Sequence, residues 1–484
     1  MTAPLSRRRR RTRIVCTLGP ASASPGLLRR LVAAGMDVVR LNFSHGDEAW
    51  HRRTVEAARR AASGAGRHVA VLQDLQGPKI RTGELAGGGL ELEPGQEVVL
   101  VAAGGAKRGR VEDGRAAAVE VSHPELIDAV RPRDRVLLAD GRIELKARSV
   151  EAGRALCTVA RGGRLASRQG VSVPGRSLEL PALTAKDLAD LRLGAELEVD
   201  YVAISFVRSP RDVVACREAL AALGRSVPVV AKLERKEALA HLDAILEAAD
   251  AVMVARGDLG VELPLGQVPP VQKDVIARAN GAGKPVITAT EMLESMVAGT
   301  RPTRAETSDV ANAIWDGTDA VMLSEETSTG RHPVEALRAM AAICRAAESH
   351  PAYLRERPVW SEPGSIGSAI AHAAAVVAQE VGARAIVALT ETGGTALRVT
   401  KAHPVTPVIA ASPSAAVLRR TALYAGAVPL QVRPGRDSAE LISHAVQAAA
   451  GAGLVRRGDR LVVAAGVMVG ESGQTNMLKV EVVP

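Results

Sequence analysis

Aromatic residues are nearly absent from this chain. Three Trp, three Tyr and two Phe make up 2% of its 484 residues. Its cores must therefore be built from Ala, Val, Leu and Ile. Stacking platforms for single-stranded nucleic acid need several aromatics and are excluded. Cysteine is scarce as well. Cys16, Cys157, Cys216 and Cys344 stand far apart with no Cys-x-x-Cys pair, which argues against a disulfide framework or a zinc site. No apolar run reaches the roughly 18 residues needed to span a bilayer. The basic N-terminus lacks the apolar segment of a secretory signal. These absences point to a soluble chain with no membrane partner and no nucleic-acid partner. A reducing cytoplasm is its simplest compartment.

Acid is missing from the first 13 residues, which hold Arg7 to Arg11 and Arg13. The formal charge of +9 therefore falls to +3 over residues 14–484 (9 − 6). The basic run reads as a solvated N-terminus attached to a nearly neutral body. What remains is an ordinary globular composition, 47% hydrophobic and 24% charged. At about 150 residues per domain, the length suggests three domains.

Short Val/Ile-rich runs recur at 13–17, 37–42, 69–74, 200–206, 228–233, 251–255, 285–290 and 319–323. Nearly continuous apolar runs between helical patterns are how strands of a buried parallel sheet read. Polar residues mark their ends at Asn42, Asp74, Ser205, Lys232, Asp258, Thr290 and Ser324, with gaps of 32, 131, 27, 26, 32 and 34. A (β/α)8 TIM barrel needs about 31 residues per unit. Five gaps fit, and the third is too long by about 100 residues, so a domain is inserted after the third strand. The insert is Gly-rich, with short β-like runs at 90–92, 97–101, 135–138, 143–146 and 155–159. Turn signals separate them at Pro94-Gly95, Asp113-Gly114 and Asp140-Gly141. This predicts a small all-β module, a β-barrel lid. Beyond a Pro-rich stretch at 351–363, strands are expected at 385–390, 407–411, 427–432, 460–465 and 477–483 of an open α/β domain. The expected organisation is a barrel over 1–83 and 176–350, a lid over 84–175 and a C-terminal domain over 358–484.

Active sites of such barrels lie at the C-terminal ends of the strands. Glu234 and Asp258 fall there on neighbouring strands, with Lys232 beside them. Paired carboxylates with few His or Cys nearby suit Mg²⁺ or Mn²⁺. A cation with Arg40, Arg81 and Lys232 forms an anion clamp for phosphoryl transfer. The bland reading is a set of surface salt bridges, and it does not explain why the set falls on consecutive strand ends. Glycines in Gly257-Asp258-Leu259-Gly260 let backbone N–H groups approach a carboxylate. Gly281-Ala282-Gly283-Lys284 lacks the spacing of a phosphate loop and reads as a helix stop. His45 and His51 are too few for a metal cluster.

Nine segments carry a resemblance. They are IVCTLGPAS (14–22), MDVVRLNFSHG (36–46), DLQGPKIRTG (74–83), SFVR (205–208), AKLE (231–234), MVARGDLG (253–260), KPVITAT (284–290), RPTRAE (301–306) and DAVMLSEET (319–327). In this order they resemble the pyruvate kinases. The resemblance implies phosphoryl transfer from phosphoenolpyruvate to ADP, giving pyruvate and ATP. It implies that Glu234 and Asp258 hold Mg²⁺ (or Mn²⁺). Lys232 would neutralise the transferring group and the developing enolate, and Arg40 would hold the phosphoryl group. Pro20, Asn42, His45, Arg81 and Lys186 would serve the nucleotide. Ala255, Arg256 and Gly257 would supply backbone around the substrate carboxylate. Thr290, with Ser324 and Glu326, would protonate the enolate. A homotetramer is also implied.

Two departures from the family pattern matter. Family members that need K⁺ bind it at positions matching Asn42, Ser44, Asp74 and the carbonyl of residue 75, with a Glu at position 79. Here Lys79 follows Leu75 and Gln76. A tethered ammonium can supply the charge of a bound K⁺, so K⁺ is not expected to be required. In the C-terminal domain, Thr390, Thr392, Gly393 and Thr395 resemble an effector phosphate loop, and Glu391 disfavours a bisphosphate. A phosphorylated allosteric effector with one phosphate is expected. Beside catalysis stand two alternatives: another barrel acting on phosphoenolpyruvate or a keto acid, and a degenerate paralogue that only senses metabolites.

Overall fold

Eight short strands close a parallel barrel in this computed structural model. The structure describes residues 10–484 apart from 104–115, 152, 177, 179, 355–359, 361 and 467–474. The turn expected at Asp113-Gly114 and the arginines Arg7 to Arg9 lie outside the described residues. The barrel strands are β1 (Arg13–Thr17), β2 (Val38–Asn42), β3 (Ala70–Asp74), β4 (Tyr201–Ile204), β5 (Val229–Leu233), β6 (Ala251–Ala255), β7 (Val286–Ala289) and β8 (Ala320–Leu323). Each pairs in parallel with its chain neighbours, and β1 closes on β8. Every strand residue but Asn42 is buried, because helices cover the outer face and side chains fill the inner one. The inner face carries Val15, Val38, Leu72, Ala203, Val230, Met253, Ile287 and Met322. Apart from Tyr201 of β4, aliphatic side chains thus fill the barrel.

The foot of the barrel repeats one device four times. Asp37, Asp200, Asp250 and Asp319 each stand one residue before an even-numbered strand. Their backbone N–H groups donate to the carbonyls of Ile14, Val71, Val229 and Val286. Their carboxylates accept the N–H of those same residues, at 2.7–3.0 Å. Each carboxylate therefore satisfies the start of the preceding odd strand and needs a cation. Arg217 serves Asp250 from within the barrel domain. The other three pairings involve the N-terminal segment or the C-terminal domain.

That finding corrects the expectation of a solvated basic run. Arg10 pairs with Asp37 at 2.7 Å and donates to the Gly35 carbonyl at 2.6 Å. Arg11 donates to the carbonyls of Pro404 and Val405. Arg13 is buried and donates through Nε to the Tyr424 carbonyl at 2.8 Å. Burial alone would raise the Asp37 pKa, but Arg10, Arg13 and Arg67 outweigh it and hold it below the usual carboxylate range. Charge counting could not find these partners, because most are main-chain carbonyls of a distant domain.

The insert leaves the barrel between β3 and β4. Its strands form a six-stranded sheet and a two-stranded ribbon. It also holds a short helix, Pro124–Ala129, which an all-β reading did not include. Pro124, at its first position, opens that helix. The C-terminal sheet has β9 (Ala385–Leu389), β10 (Val408–Ser412), β11 (Ala427–Gln431), β12 (Arg460–Ala465) and β13 (Met477–Val482) in the order β11-β10-β9-β12-β13. Only β13 runs antiparallel.

Candidate active site

The strand ends converge on one buried ion network. Lys232, on β5, lies 2.8 Å from Glu234 and 3.1 Å from Asp74, and its Nζ donates to Ser205 Oγ at 2.7 Å. Ser205 donates in turn to the Leu75 carbonyl at 2.8 Å. Arg40, on β2, donates through Nε to Asp74 at 2.6 Å and through Nη1 to Thr17 Oγ1 at 2.9 Å. The Thr17 hydroxyl donates in turn to the Leu323 carbonyl at 2.9 Å. The registers of β1, β2 and β3 place these side chains side by side.

The electrostatics follow from burial. Desolvation would lower the Lys232 pKa, but Asp74 and Glu234 win and raise it, so the ammonium stays charged. Desolvation would raise Asp74, but Lys232 and Arg40 hold it low. Glu234 is raised by burial first. Lys232 opposes that rise, and the facing Asp258 adds to it by repulsion. Its second oxygen receives the Phe206 N–H at 2.7 Å. Phe206 aims that N–H from a left-handed backbone, φ +57°.

Glu234 and Asp258 line one cleft between barrel mouth and insert, together with Lys79, Asp140 and Arg208. Two carboxylates that repel each other form a donor set for a hard cation. Among the described residues, no three or more His, Cys, Asp or Glu side chains gather as a metal cluster. A cation here would thus rely on two protein carboxylates and on ligand oxygens, which suits Mg²⁺.

The loop after β2 forms one wall. Ser44 donates its N–H to Asn42 Oδ1 at 3.0 Å, and Lys186 donates to the Phe43 carbonyl at 2.7 Å. The His45 pKa is lowered by burial first and then by the charges of Arg81, Arg40 and Lys79. His51 stacks on Phe43 with centroids 3.9 Å apart and contacts the His45 carbonyl at 3.1 Å, a packing role. Arg81 donates to the Arg168 carbonyl of the insert at 3.1 Å. Pro20 is exposed after β1. Leu75 is buried, with its carbonyl already taken by Ser205. Lys79 does not pair with Asp74. Its ion pair is with Asp140 of the insert, at 3.3 Å.

The loops after β6, β7 and β8 form the other wall. Ala255 ends β6, and Asp258 sits in the first turn of the helix Arg256–Glu262. Gly257 donates its N–H to Thr290 Oγ1 at 2.8 Å. Glu326 is fully buried and accepts the N–H groups of Leu293 at 2.9 Å and Ser324 at 2.6 Å. Burial raises its pKa, and those N–H groups oppose the rise. Glu326 thus ties two loops together, while Ser324 Oγ is buried and has no hydrogen-bond partner among the described residues. In the C-terminal domain, Thr390 Oγ1 accepts the Gly393 N–H at 2.9 Å and Thr395 bonds Thr475 at 2.8 Å. Gly393 takes φ +102° ahead of the helix Gly394–Lys401, and Thr392 is exposed. Sequence reasoning missed Thr17. Thr17 could have been found as the polar end of β1.

Comparison with known proteins agrees with this geometry. The model described as "Pyruvate kinase, barrel domain" matches residues 9–337, and "Pyruvate kinase, alpha/beta domain" matches residues 368–481. A pyruvate kinase of Geobacillus stearothermophilus is 45% identical over 98% of this chain and 81% of its own length. That of Corynebacterium glutamicum is 44% identical over 97% of both chains. That of Clostridium acetobutylicum is 42% identical over 98% of this chain and 99% of its own. The chain belongs to the pyruvate kinase family.

Proposed function

We propose that this phosphotransferase moves the phosphoryl group of phosphoenolpyruvate to ADP with the residues gathered at the barrel mouth. The observation that carries the reading is the Lys232 ammonium held between Asp74, Glu234 and Ser205 at 2.7–3.1 Å. In the first step the bond between phosphorus and the enolate oxygen breaks, and a bond to the terminal phosphate oxygen of ADP forms. Positioning and charge neutralisation supply most of the rate. Arg40 and Lys232 face the moving phosphoryl group, and Lys232 neutralises the enolate it leaves. Arg81, Lys186, Asn42, His45 and Pro20 serve the nucleotide. Backbone at Ala255, Arg256 and Gly257 receives the substrate carboxylate. Mg²⁺ held by Glu234 and Asp258 would supply positive charge to the substrate oxygens when bound. In the second step a proton reaches C3 of the enolate from the Thr290 side, with Ser324 and Glu326 behind it, and the enolate oxygen becomes the ketone of pyruvate.

The proposal extends to K⁺ independence, with the Lys79 ammonium supplying the charge that K⁺ would bring near Asn42, Ser44 and Asp74 while pairing with Asp140, to a monophosphate effector at Thr390–Thr395 and to a cytoplasmic homotetramer. No helix among the described residues is long and apolar enough to cross a membrane. The domain limits proposed are 1–83 with 176–350, 84–175 and 358–484. A coupled assay of pyruvate formed from phosphoenolpyruvate and MgADP tests the reading. Turnover abolished by Lys232→Met in a folded variant supports it, and zero turnover by the folded parent protein overturns it.

A further inference from the structure

Thr290 and Glu291 follow one another in the left-handed region, at φ +65° and +52°. For a β-branched residue this is a genuine outlier, and it persists only where surroundings over-determine it. On one side the carbonyls of the turn are held by a single side chain. Arg256 donates through Nη2 to the Thr290 carbonyl at 2.7 Å and the Glu291 carbonyl at 3.1 Å. Its Nε lies 3.3 Å from the carbonyls of Ala289 and Thr290. Its Nη1 makes two contacts with Asp309, at 2.6 and 2.8 Å. Asp309 stands on the helix Arg304–Asp316, outside the mouth. The planar fork of a guanidinium can span three carbonyls and a carboxylate together, and an ammonium cannot.

The same turn is held from its other side. Gly257, the residue after Arg256, gives its N–H to Thr290 Oγ1 at 2.8 Å, and that hydroxyl donates to the Ala289 carbonyl at 2.7 Å. The Arg256 side chain thus fixes the backbone of Thr290, while the adjoining main chain fixes its hydroxyl. None of these atoms enters the Asp74–Lys232–Glu234 network. The mouth contains two separately supported halves.

We propose that Arg256 and Asp309 are positioning residues for the protonation half of the reaction. This rests on the reading of Thr290 as part of the proton path. In that step a new C3–H bond takes the electron pair of the enolate double bond. The enolate C–O⁻ becomes a carbonyl. The proton leaves the Thr290 side and is restored from solvent water. Loosening the Asp309 anchor lets Arg256 shift, the Thr290-Glu291 turn relaxes toward ordinary φ, and the hydroxyl leaves its position. Phosphoryl transfer keeps its own support.

The test is Asp309→Asn in the full-length protein, followed by steady-state kinetics and by proton NMR of pyruvate methyl exchange in D₂O with Mg²⁺ and ATP. A misplacement of this kind costs about tenfold to a hundredfold in rate. The expected result is a fall of about that size in kcat and in methyl exchange, a larger solvent isotope effect on kcat, and a phosphoenolpyruvate KM changed by less than about threefold. Asp309→Glu keeps the ion pair and should recover much of the rate, and Arg256→Lys stands in if the amide variant does not fold. Arg256→Lys keeps the charge but loses the fork and should behave like Asp309→Asn. Unchanged kcat and exchange in a folded Asp309→Asn protein would overturn the proposal. So would a rise in KM alone. Thr290→Val separates the two layers. If it abolishes exchange while Asp309→Asn does not, only the positioning role falls. If it leaves exchange intact, the reading of Thr290 falls as well.

Discussion

The ammonium of Lys401 lies 2.7 Å from the carboxylate of Asp319, and both side chains are almost wholly buried. Lys401 ends the helix Gly394–Lys401, which starts in the Thr390–Thr395 loop. Asp319 stands at the foot of β8, whose far end leads into Ser324 in the mouth. Asn280 Oδ1 accepts a second bond from Lys401 at 2.7 Å. One rigid helix, one ion pair and one strand therefore join the C-terminal domain to the catalytic end.

Lys401→Met leaves Asp319 buried without a cation. Breaking a buried pair from one side costs about 3–5 kcal/mol. The variant should unfold at a clearly lower denaturant concentration. Adding Asp319→Asn should return part of the loss, because the amide oxygen can still accept the Val286 N–H. Additive losses in the double variant would show that the two groups do not act as a pair.

Lys232→Met should lower kcat by about a thousandfold. It also removes the cation shared by Asp74 and Glu234. The carboxylates then attract Mg²⁺ more strongly. Mg²⁺ should raise the thermal midpoint of this variant more than that of the parent protein. An equal shift in both would mean that Lys232 does not compete with the metal for Glu234.

Much of this architecture was legible in the sequence for a physical reason. Strand ends recur at a fixed spacing because each β/α unit has nearly the same length, so Asp74, Lys232 and Asp258 fall where a barrel mouth must be. Their neighbours Glu234 and Thr290 follow from the same count. Contacts across long sequence distances were not legible. Arg13 reaches carbonyls more than 400 residues away, and nothing in local charge signals such an acceptor. Asp309 reads as one more acid on an exposed helix until Arg256 is seen against it. Lys79 shows the opposite limit. Its motif assigned it to a cation site, while its ion partner lies on the insert.

Activity in tetramethylammonium chloride should match that in KCl to within about twofold, if Lys79 supplies the charge of a bound cation. Lys79→Glu should then create a K⁺ requirement, read as a rise in rate on titrating KCl. It also reverses the sign at the contact with Asp140, so the effect of ionic strength must be matched with NaCl. Strong activation of the unchanged protein by K⁺ would remove the assignment.

Glu262 gives the clearest expected pH signature. It sits on the cleft with Arg235 at 2.7 Å, and burial is the first cause that lifts its pKa from 4.5 to about 6, with Arg235 opposing and Glu237 adding to the rise. The Gly175 backbone N–H opposes the rise further, and Asp258 adds to it. The folded protein therefore binds this proton more tightly than the unfolded chain does. The resulting stabilisation is fully present below pH 4.5 and is lost as the pH rises through about 6. Its size is at most about 2 kcal/mol. Glu262→Gln is neutral at every pH and should not show this loss. Thermal midpoints of the two proteins should coincide most closely near pH 4.5 and diverge up to pH 7, with the amide variant the more stable. Asp37 and Asp74 are held low and weaken both proteins alike as the pH falls, so the difference between the two curves isolates Glu262. Parallel curves across this window would show that its carboxyl titrates alike in the folded and unfolded chains.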